Sequence, residues 1–310
     1  MNPSLSRVIT ILGITSSGKT SLAVELAKEF NGEIVSADSR QIYKEFNVGT
    51  AKPEGAWENG KFIYKGIAHY LIDEIDPTDD FTLSQYQKLA TEKLKEIVSC
   101  GKTPFLVGGT PLYLKAVLEN WNIPEVKPNL RLRQELEQKD ILELFNALKE
   151  KDPEAALITG NANKRRIIRA LEVIAETGEK FSNQRKIGEP IFDSLKIGIK
   201  IEKEELVKRI TQRTREMFKK GLAEEIKQLS EKYGWNITPM QSIGYQEFKN
   251  ETNLDKVESL IIQNTLAYTK RQMTWFKKDK DIVWVTSPKK AGEKIKSFLI
   301  GLLPLFIIRL

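Results

Sequence analysis

Short runs of apolar, β-branched residues alternate with amphipathic windows along the first hundred or so residues, the pattern of βα units that feed a parallel sheet. Val8 to Leu12, Glu33 to Ser36 and Pro104 to Val107 predict strands, with helices predicted from Lys19 to Phe30 and from Leu83 to Ser99. A further strand, Ile197 to Ile201, comes only after a long helical stretch. The sheet is therefore expected to be interrupted by an insertion from about Glu119 to Glu189 and then resumed. Pro124, Pro128, Gly188 and Pro190 mark the borders of the insertion with turn residues. Inside it, apolar positions at helical spacing in Leu130 to Gln138, Ile141 to Lys149 and Lys164 to Glu176 predict a small helical subdomain, with Gly178 as a helix stop. Longer helices are predicted over Lys203 to Lys219, Ala223 to Tyr233 and Leu254 to Lys278, and a last strand over Ile282 to Val285. The expected fold class is α/β: a parallel sheet with helices on both faces. Residues 1–118 and 190–310 form the core, and 119–189 an inserted helical subdomain.

Composition narrows the chemistry. The chain has 310 residues, 40% hydrophobic and 29% charged, which suits one or two globular domains and excludes disorder and coiled coil. Cys100 is the only cysteine and His69 the only histidine, so neither a disulfide, a cysteine-rich zinc module nor a His-ligated metal cluster can be built within the chain. A net charge of +7 favours a polyanionic partner. The apolar run at Val8 to Leu12 is too short for a signal peptide, so a cytoplasmic protein is expected. The apolar stretch Phe298 to Ile308, broken by Pro304, is too short to span a bilayer and is expected to pack on protein, with no membrane contact.

Three strand-end segments carry candidate chemistry. Gly13-Ile14-Thr15-Ser16-Ser17-Gly18-Lys19-Thr20 matches G-x-x-x-x-G-K-[ST] between a predicted strand and helix. Such a loop turns its backbone N–H groups toward phosphate, Lys19 adds a point charge, and Thr20 is placed to hold Mg²⁺. This makes the expected sheet P-loop NTPase-like. Asp38 follows the second strand, where open α/β sheets put their chemistry, and it can accept a proton or cap the next turn. Gly108-Gly109-Thr110-Pro111 ends the third strand with a hydroxyl and a closely approachable backbone. Together they define one cleft.

Two basic runs stand apart. Between Lys164 and Lys186, seven basic residues face three acids, and Arg165, Arg166 and Arg169 cluster in the first turns of a helix. Cations there oppose the helix dipole and ask for a nearby anion. From Lys270 to Lys290, basic residues interleave with Trp275 and Phe276, a combination that suits RNA, although Trp275 is expected in the core.

These residues resemble the bacterial tRNA dimethylallyltransferases. The resemblance is carried by Gly13 to Thr20, Asp38-Ser39-Arg40-Gln41-Ile42-Tyr43, Gly49 to Pro53, Val107 to Tyr113, Arg165 to Val173, Ser242 to Gln246 and Lys270 to Phe276. It implies transfer of a dimethylallyl group from dimethylallyl diphosphate to the exocyclic N6 of the adenosine 3′ to the anticodon, with diphosphate released and Mg²⁺ as cofactor. By motif match, Asp38 is the general base and Thr110 assists. Gly13 to Thr20 hold the diphosphate, and Arg213 is a weaker match for the same task. Asp38, Ser39, Arg40 and Gln41 line the tRNA contact. Arg131, Arg165, Arg166, Ile167, Ile168 and Arg169, with Gln241, Gly244 and Tyr245, fall in stretches that touch the anticodon stem-loop in relatives. Ile14 stands where the family usually has proline. A monomer is expected.

The rival readings are a small-molecule kinase with an inserted lid, which would turn over ATP, and a non-catalytic RNA-binding protein with a relic phosphate loop. The Asp38-Ser39-Arg40-Gln41 stretch and the basic surplus disfavour the first.

Overall fold

The computed structural model describes residues 5–185 and 187–301, without the side chains of residues 184 and 185. Among them, one sheet is built from Ser6–Leu12 (β1), Gly32–Ala37 (β2), Ala56–Glu58 (β3), Lys61–Tyr64 (β4), Ile67–Tyr70 (β5), Thr103–Gly108 (β6), Phe192–Ile199 (β7) and Val283–Val285 (β8). The strand order is β3-β4-β5-β2-β6-β1-β7-β8. The helices are Lys19–Glu29 (α1), Leu83–Ser99 (α2), Pro111–Leu118 (α3), Leu130–Glu137 (α4), Ile141–Lys151 (α5), Pro153–Thr159 (α6), Lys164–Thr177 (α7), Lys203–Lys219 (α8), Leu222–Tyr233 (α9), Leu254–Phe276 (α10) and Pro288–Ile300 (α11).

Register explains why three loops meet. Leu12 and Ala37 both pair with Gly108, and Leu12 also pairs with Gly198, so these strand ends form one row at the carboxyl edge. A Cβ at Gly108 would lie 2.1 Å from the Ala37 carbonyl oxygen, so only glycine lets β6 approach β2 this closely. Val8, Ile9, Thr10, Ile11 and Leu12 are all buried, which requires cover on both faces of β1. On one face Ile9, Ile11, Phe105 and Ile197 pack with α1 and α11.

Six of the strands pair in parallel, as expected, and β3, β4 and β5 add an antiparallel meander at one edge that was not expected. The signal lay in the turns. Asn59-Gly60 and Lys65-Gly66 all adopt positive φ, the backbone of tight hairpin turns that match strand twist. The strand expected at Ile197 to Ile201 begins earlier, at Phe192, because β7 pairs along the whole of β1, from Ser6 to Leu12. The helix α6 was not expected.

The contact pattern divides the chain into two compact units. The first is Met1–Asp79, Leu89–Leu114 and Ile191–Leu310; the second is Asp80–Lys88 and Lys115–Pro190. The second unit is helical and takes in the start of α2 and the end of α3 as well as the expected insertion. Its core gathers Leu144 and Leu148 from α5, Ala155 and Ala156 from α6, and Ile167, Ile168, Ala170 and Leu171 from α7. Asn163 caps α7 by accepting from the Arg166 N–H, and Gly178, at φ 72°, ends it.

In the first unit, Phe298 and Leu299 of the apolar C-terminal stretch pack against the core, where the Arg7 guanidinium lies over the Phe298 ring. Residues 302–308 of that stretch, like Lys186 in the basic run, lie outside the described residues. Among the described residues, no helix is long and apolar enough to cross a membrane.

Candidate active site

The loop from Gly13 to Gly18 joins β1 to α1. Ser16 at φ 63° and Gly18 at φ 92° are both left-handed, which curls the backbone into an anion-binding nest ahead of the α1 N-terminus. A serine held there marks a site at which local strain is tolerated. The Ser16 and Ser17 hydroxyls are buried without a hydrogen-bond partner among the described residues. Two orphaned hydroxyls in a phosphate loop fit an anion better than a packed core.

Beyond the loop lie two connected lobes. The larger, about 320 Å³, is lined by Asp38, Thr110, Arg213 and Gln272 and by apolar Ile210, Met217 and Ile261. The smaller, about 90 Å³, is lined by Thr20, Ser36, Gln41 and His69. Thr15, Lys19, Asp38 and Arg213 line both, and so form the waist of the cleft. Burial lowers the Lys19 pKa to about 8, an effect opposed by Asp38 and reinforced by Arg213. Burial also lowers Arg213, whose Nη2 donates to the Thr50 carbonyl at 3.4 Å, while Asp38 opposes the shift. Two desolvated cations with one carboxylate leave the waist with a surplus positive charge.

Of the two parts expected of Asp38, the structure shows the cap. Its Oδ1 accepts from the Arg40 and Gln41 N–H groups at 2.9 and 3.2 Å, a turn cap that fixes the carboxylate at the cleft wall. The Thr110 hydroxyl accepts from the Ser39 N–H at 3.3 Å, tying the third loop to the second. The Arg40 guanidinium donates to the Thr238 carbonyl, and the Gln41 amide donates to the Thr50 and Ala51 carbonyls. Gln41 thus braces the 49–52 loop.

Several expected RNA contacts are corrected. Tyr245 is fully buried, packs on Phe46, and donates its hydroxyl to Glu225 Oε1 at 2.6 Å, so its ring is a structural post rather than an RNA contact. Ile167 and Ile168 are core residues of the helical unit and cannot present side chains to RNA. Arg169 is half-buried and held by Glu172 and by the Val126 carbonyl, so the anion it calls for is supplied from within. Trp275, expected in the core, is 38% exposed, and Gln272 and Phe276 take the buried positions of that helix turn instead. Arg165 and Arg166 are exposed, as is Arg131, which pairs with Glu135 in its own helix. Gln241 and Gly244 line the larger lobe.

Sequence reasoning missed Gln272. Buried at 2% exposure, its Oε1 accepts from the Thr15 N–H at 2.9 Å and its Nε2 donates to the Gly109 carbonyl at 2.6 Å, bridging the first and third loops. Thr265, Tyr268 and Gln272 line the larger lobe at i, i+3 and i+7, a helical spacing visible in the sequence. Glu225 was missed as well. Its carboxylate accepts from the Asn47, Val48 and Gly49 N–H groups and so sets the loop that meets Arg213.

Comparison with known proteins agrees with this architecture. The model of the IPP transferase family matches residues 41–279, and that of isopentenyl transferase matches residues 6–63. The tRNA dimethylallyltransferase of Microcystis aeruginosa is 43% identical over 292 residues, covering 93% of this chain and 90% of its own. A crystal structure of the tRNA isopentenylpyrophosphate transferase from Bacillus halodurans is similar with a TM-score of 0.68 at 32% identity, covering 96% of both chains. A eukaryotic dimethylallyltransferase, whose structures show it acting on tRNA, is similar with a TM-score of 0.77 at 28% identity, covering 95% of this chain and 78% of its own. With a family model spanning most of its length and relatives this similar end to end, the chain belongs to the IPP transferase family.

Proposed function

We propose that this chain is a tRNA prenyltransferase. It moves the dimethylallyl group of dimethylallyl diphosphate to the exocyclic N6 of the adenosine 3′ to the anticodon and releases diphosphate. The observation that carries this reading is the waist of the cleft: an anion-cradling loop and two desolvated cations beside a carboxylate, opening into a lobe with an apolar wall.

Adenine N6 is a poor nucleophile because its lone pair is delocalised, so the reaction depends on the leaving group. The N6–C bond forms as the allylic C–O bond breaks and its electron pair stays with diphosphate. Lys19, Arg213 and the loop N–H groups neutralise that charge. Asp38 takes the N6 proton as a general base, held toward the acceptor by the Arg40 and Gln41 N–H groups. The Thr110 hydroxyl stands beside it. Ile210, Met217 and Ile261 offer the prenyl chain an apolar surface.

Magnesium fits as an ion that arrives with the diphosphate. Among the described residues no group of three or more His, Cys, Asp or Glu could hold a metal, but Mg²⁺ on phosphates needs few protein ligands. Thr20 would hold it, and when bound it supplies charge neutralisation on the leaving group. On the RNA side, Ser39, Arg40, Gln241 and Gly244 border the entry for a base flipped out of the anticodon loop, at a cost of a few kcal/mol. Arg131, Arg165 and Arg166 of the helical unit are suited to backbone phosphates. A tRNA substrate makes this a cytoplasmic reaction.

Incubation with unmodified tRNA, dimethylallyl diphosphate and Mg²⁺ tests the proposal. A five-carbon mass gain on one anticodon-loop adenosine is expected. ATP turnover with a small acceptor, or RNA binding without any mass gain, overturns it.

A further inference from the structure

The smaller lobe contains a group that the proposed reaction does not use. His69 sits in β5, beside β2 through its pairing with Ile34, and is 3% exposed. Its Nδ1 is 2.9 Å from the Ile67 carbonyl oxygen, which can only accept, so Nδ1 carries the proton. Burial lowers the His69 pKa below the ordinary histidine value, with the Ile67 contact only partly opposing it, so the ring is neutral at physiological pH. Neutral and protonated at Nδ1, the ring has a bare lone pair at Nε2. That atom is buried with no hydrogen-bond partner among the described residues, and His69 lines the smaller lobe together with Lys19, Thr20 and Asp38.

An orphaned buried acceptor is destabilising if nothing meets it. A phosphate oxygen cannot meet it, because two lone pairs repel. Direct ligation is also a poor match, since Mg²⁺ prefers oxygen ligands and keeps several of its waters. What satisfies Nε2 in an anion site is a donor, and a hydrated cation on diphosphate brings donors in the form of polarised water. The lobe, at about 90 Å³, has room for them.

We infer that His69 is a positioning residue for hydrated Mg²⁺, its Nε2 accepting a hydrogen bond from a water of the ion's shell at the diphosphate end of the cleft. The inference rests on reading this cleft as a magnesium–diphosphate site. It assigns His69 an outer role: the ring touches neither the reacting atoms nor the ion, but orients the shell that Thr20 shares.

Because His69 is the only histidine, its ring nitrogens give unambiguous resonances in the ¹⁵N-labelled full chain. Mg²⁺ alone, inorganic diphosphate alone and both together are added in turn. The Nε2 resonance is expected to move only with both, while Nδ1 stays protonated throughout. His69→Asn retains a donor toward Ile67 and removes the acceptor, and is expected to weaken Mg²⁺ binding to the diphosphate complex about tenfold. His69→Gln places an oxygen near the Nε2 position and is expected to recover most of that loss. An Nε2 that stays still with both ligands, or moves as far with diphosphate alone, overturns the inference, as does His69→Asn with wild-type Mg²⁺ dependence. If the wild-type chain binds no magnesium diphosphate by calorimetry, the reading of the cleft fails and the inference falls with it. Intact binding with a silent His69 sinks the inference alone.

Discussion

Two carboxylates in this molecule each face two cations, and they have opposite fates. In the helical unit, Glu172 is fully buried and saturated: Arg133 donates two bonds at 2.7 and 2.8 Å, the Asn129 N–H donates one at 2.7 Å, and Arg169 adds another. In the cleft, Asp38 is capped only by its own backbone, and Lys19 and Arg213 form no ion pair among the described residues. The first cluster has spent its charge on holding α4 against α7. The second keeps its cations desolvated and unneutralised, so a bound anion gains what the protein withholds. Residue types alone do not separate structure from site, but lone-pair occupancy does.

The largest expected effect breaks the cleft side of this comparison. Asp38→Ala should lower the single-turnover rate by about 10²–10⁴-fold, the usual worth of a general base, while tRNA affinity changes little. An equal loss in rate and affinity would show that Asp38 shapes the RNA site instead. On the other side, Glu172→Gln should leave Arg133 and Arg169 without their counter-ion. The cost should be about 2 kcal/mol in the unfolding of the helical unit, below the full penalty for breaking a buried pair because both arginines reach water. Hydrogen exchange of the α7 amides would report it, and unchanged protection would demote the cluster to decoration. Burial pushes the Glu172 pKa up, but Arg133, Arg169 and Asn129 outweigh it and hold the carboxyl below the ordinary value. The stability that this confers is present above the ordinary carboxylate range and is lost as the pH falls through the folded-state pKa.

The cleft titrates at the other end of the scale. Lys19 is depressed to about 8 in the free protein, and a bound diphosphate raises it, so binding takes up a proton near pH 8. Donor affinity should therefore hold below pH 8 and fall by up to about tenfold per unit above it. Without ligand, the same depression destabilises the fold below pH 8 and is relieved as the pH rises toward the ordinary lysine value. Calorimetry in buffers of differing ionisation enthalpy would detect the proton, and a flat profile to pH 10 would remove Lys19 from the anion site. The smallest effect separates the exposed arginines from the half-buried one. Arg165→Ala or Arg166→Ala should reduce the salt slope of tRNA binding by about 0.7–0.9 each, one phosphate contact apiece. Arg169→Ala should instead loosen α7 against the segment at Val126, with the salt slope unchanged.

The legible part of the site was the part that is continuous in the chain. Gly13 to Thr20 need only eight consecutive residues and flanking β and α periods to be recognised, and Asp38 and Thr110 follow because strand ends in such sheets share an edge. Hairpin turns at Asn59-Gly60 and Lys65-Gly66 were equally local, and their sequence signal was available. Ile167, Ile168 and Tyr245 were misplaced because a stretch expected to touch RNA also contains the residues that hold it up.

By itself, the order of apolar and polar positions determined the α/β layout, the phosphate loop and the helical insertion, since each depends on contacts a few residues apart. Only the tertiary structure decided that Glu225 and Gln272, from helices near the other end of the chain, brace a cleft opened by the first forty residues. It also decided which carboxylate is saturated and which is left for a ligand. A lone pair is filled or spared by whatever the folded chain brings within about 3 Å, and periodicity along the sequence carries no record of that.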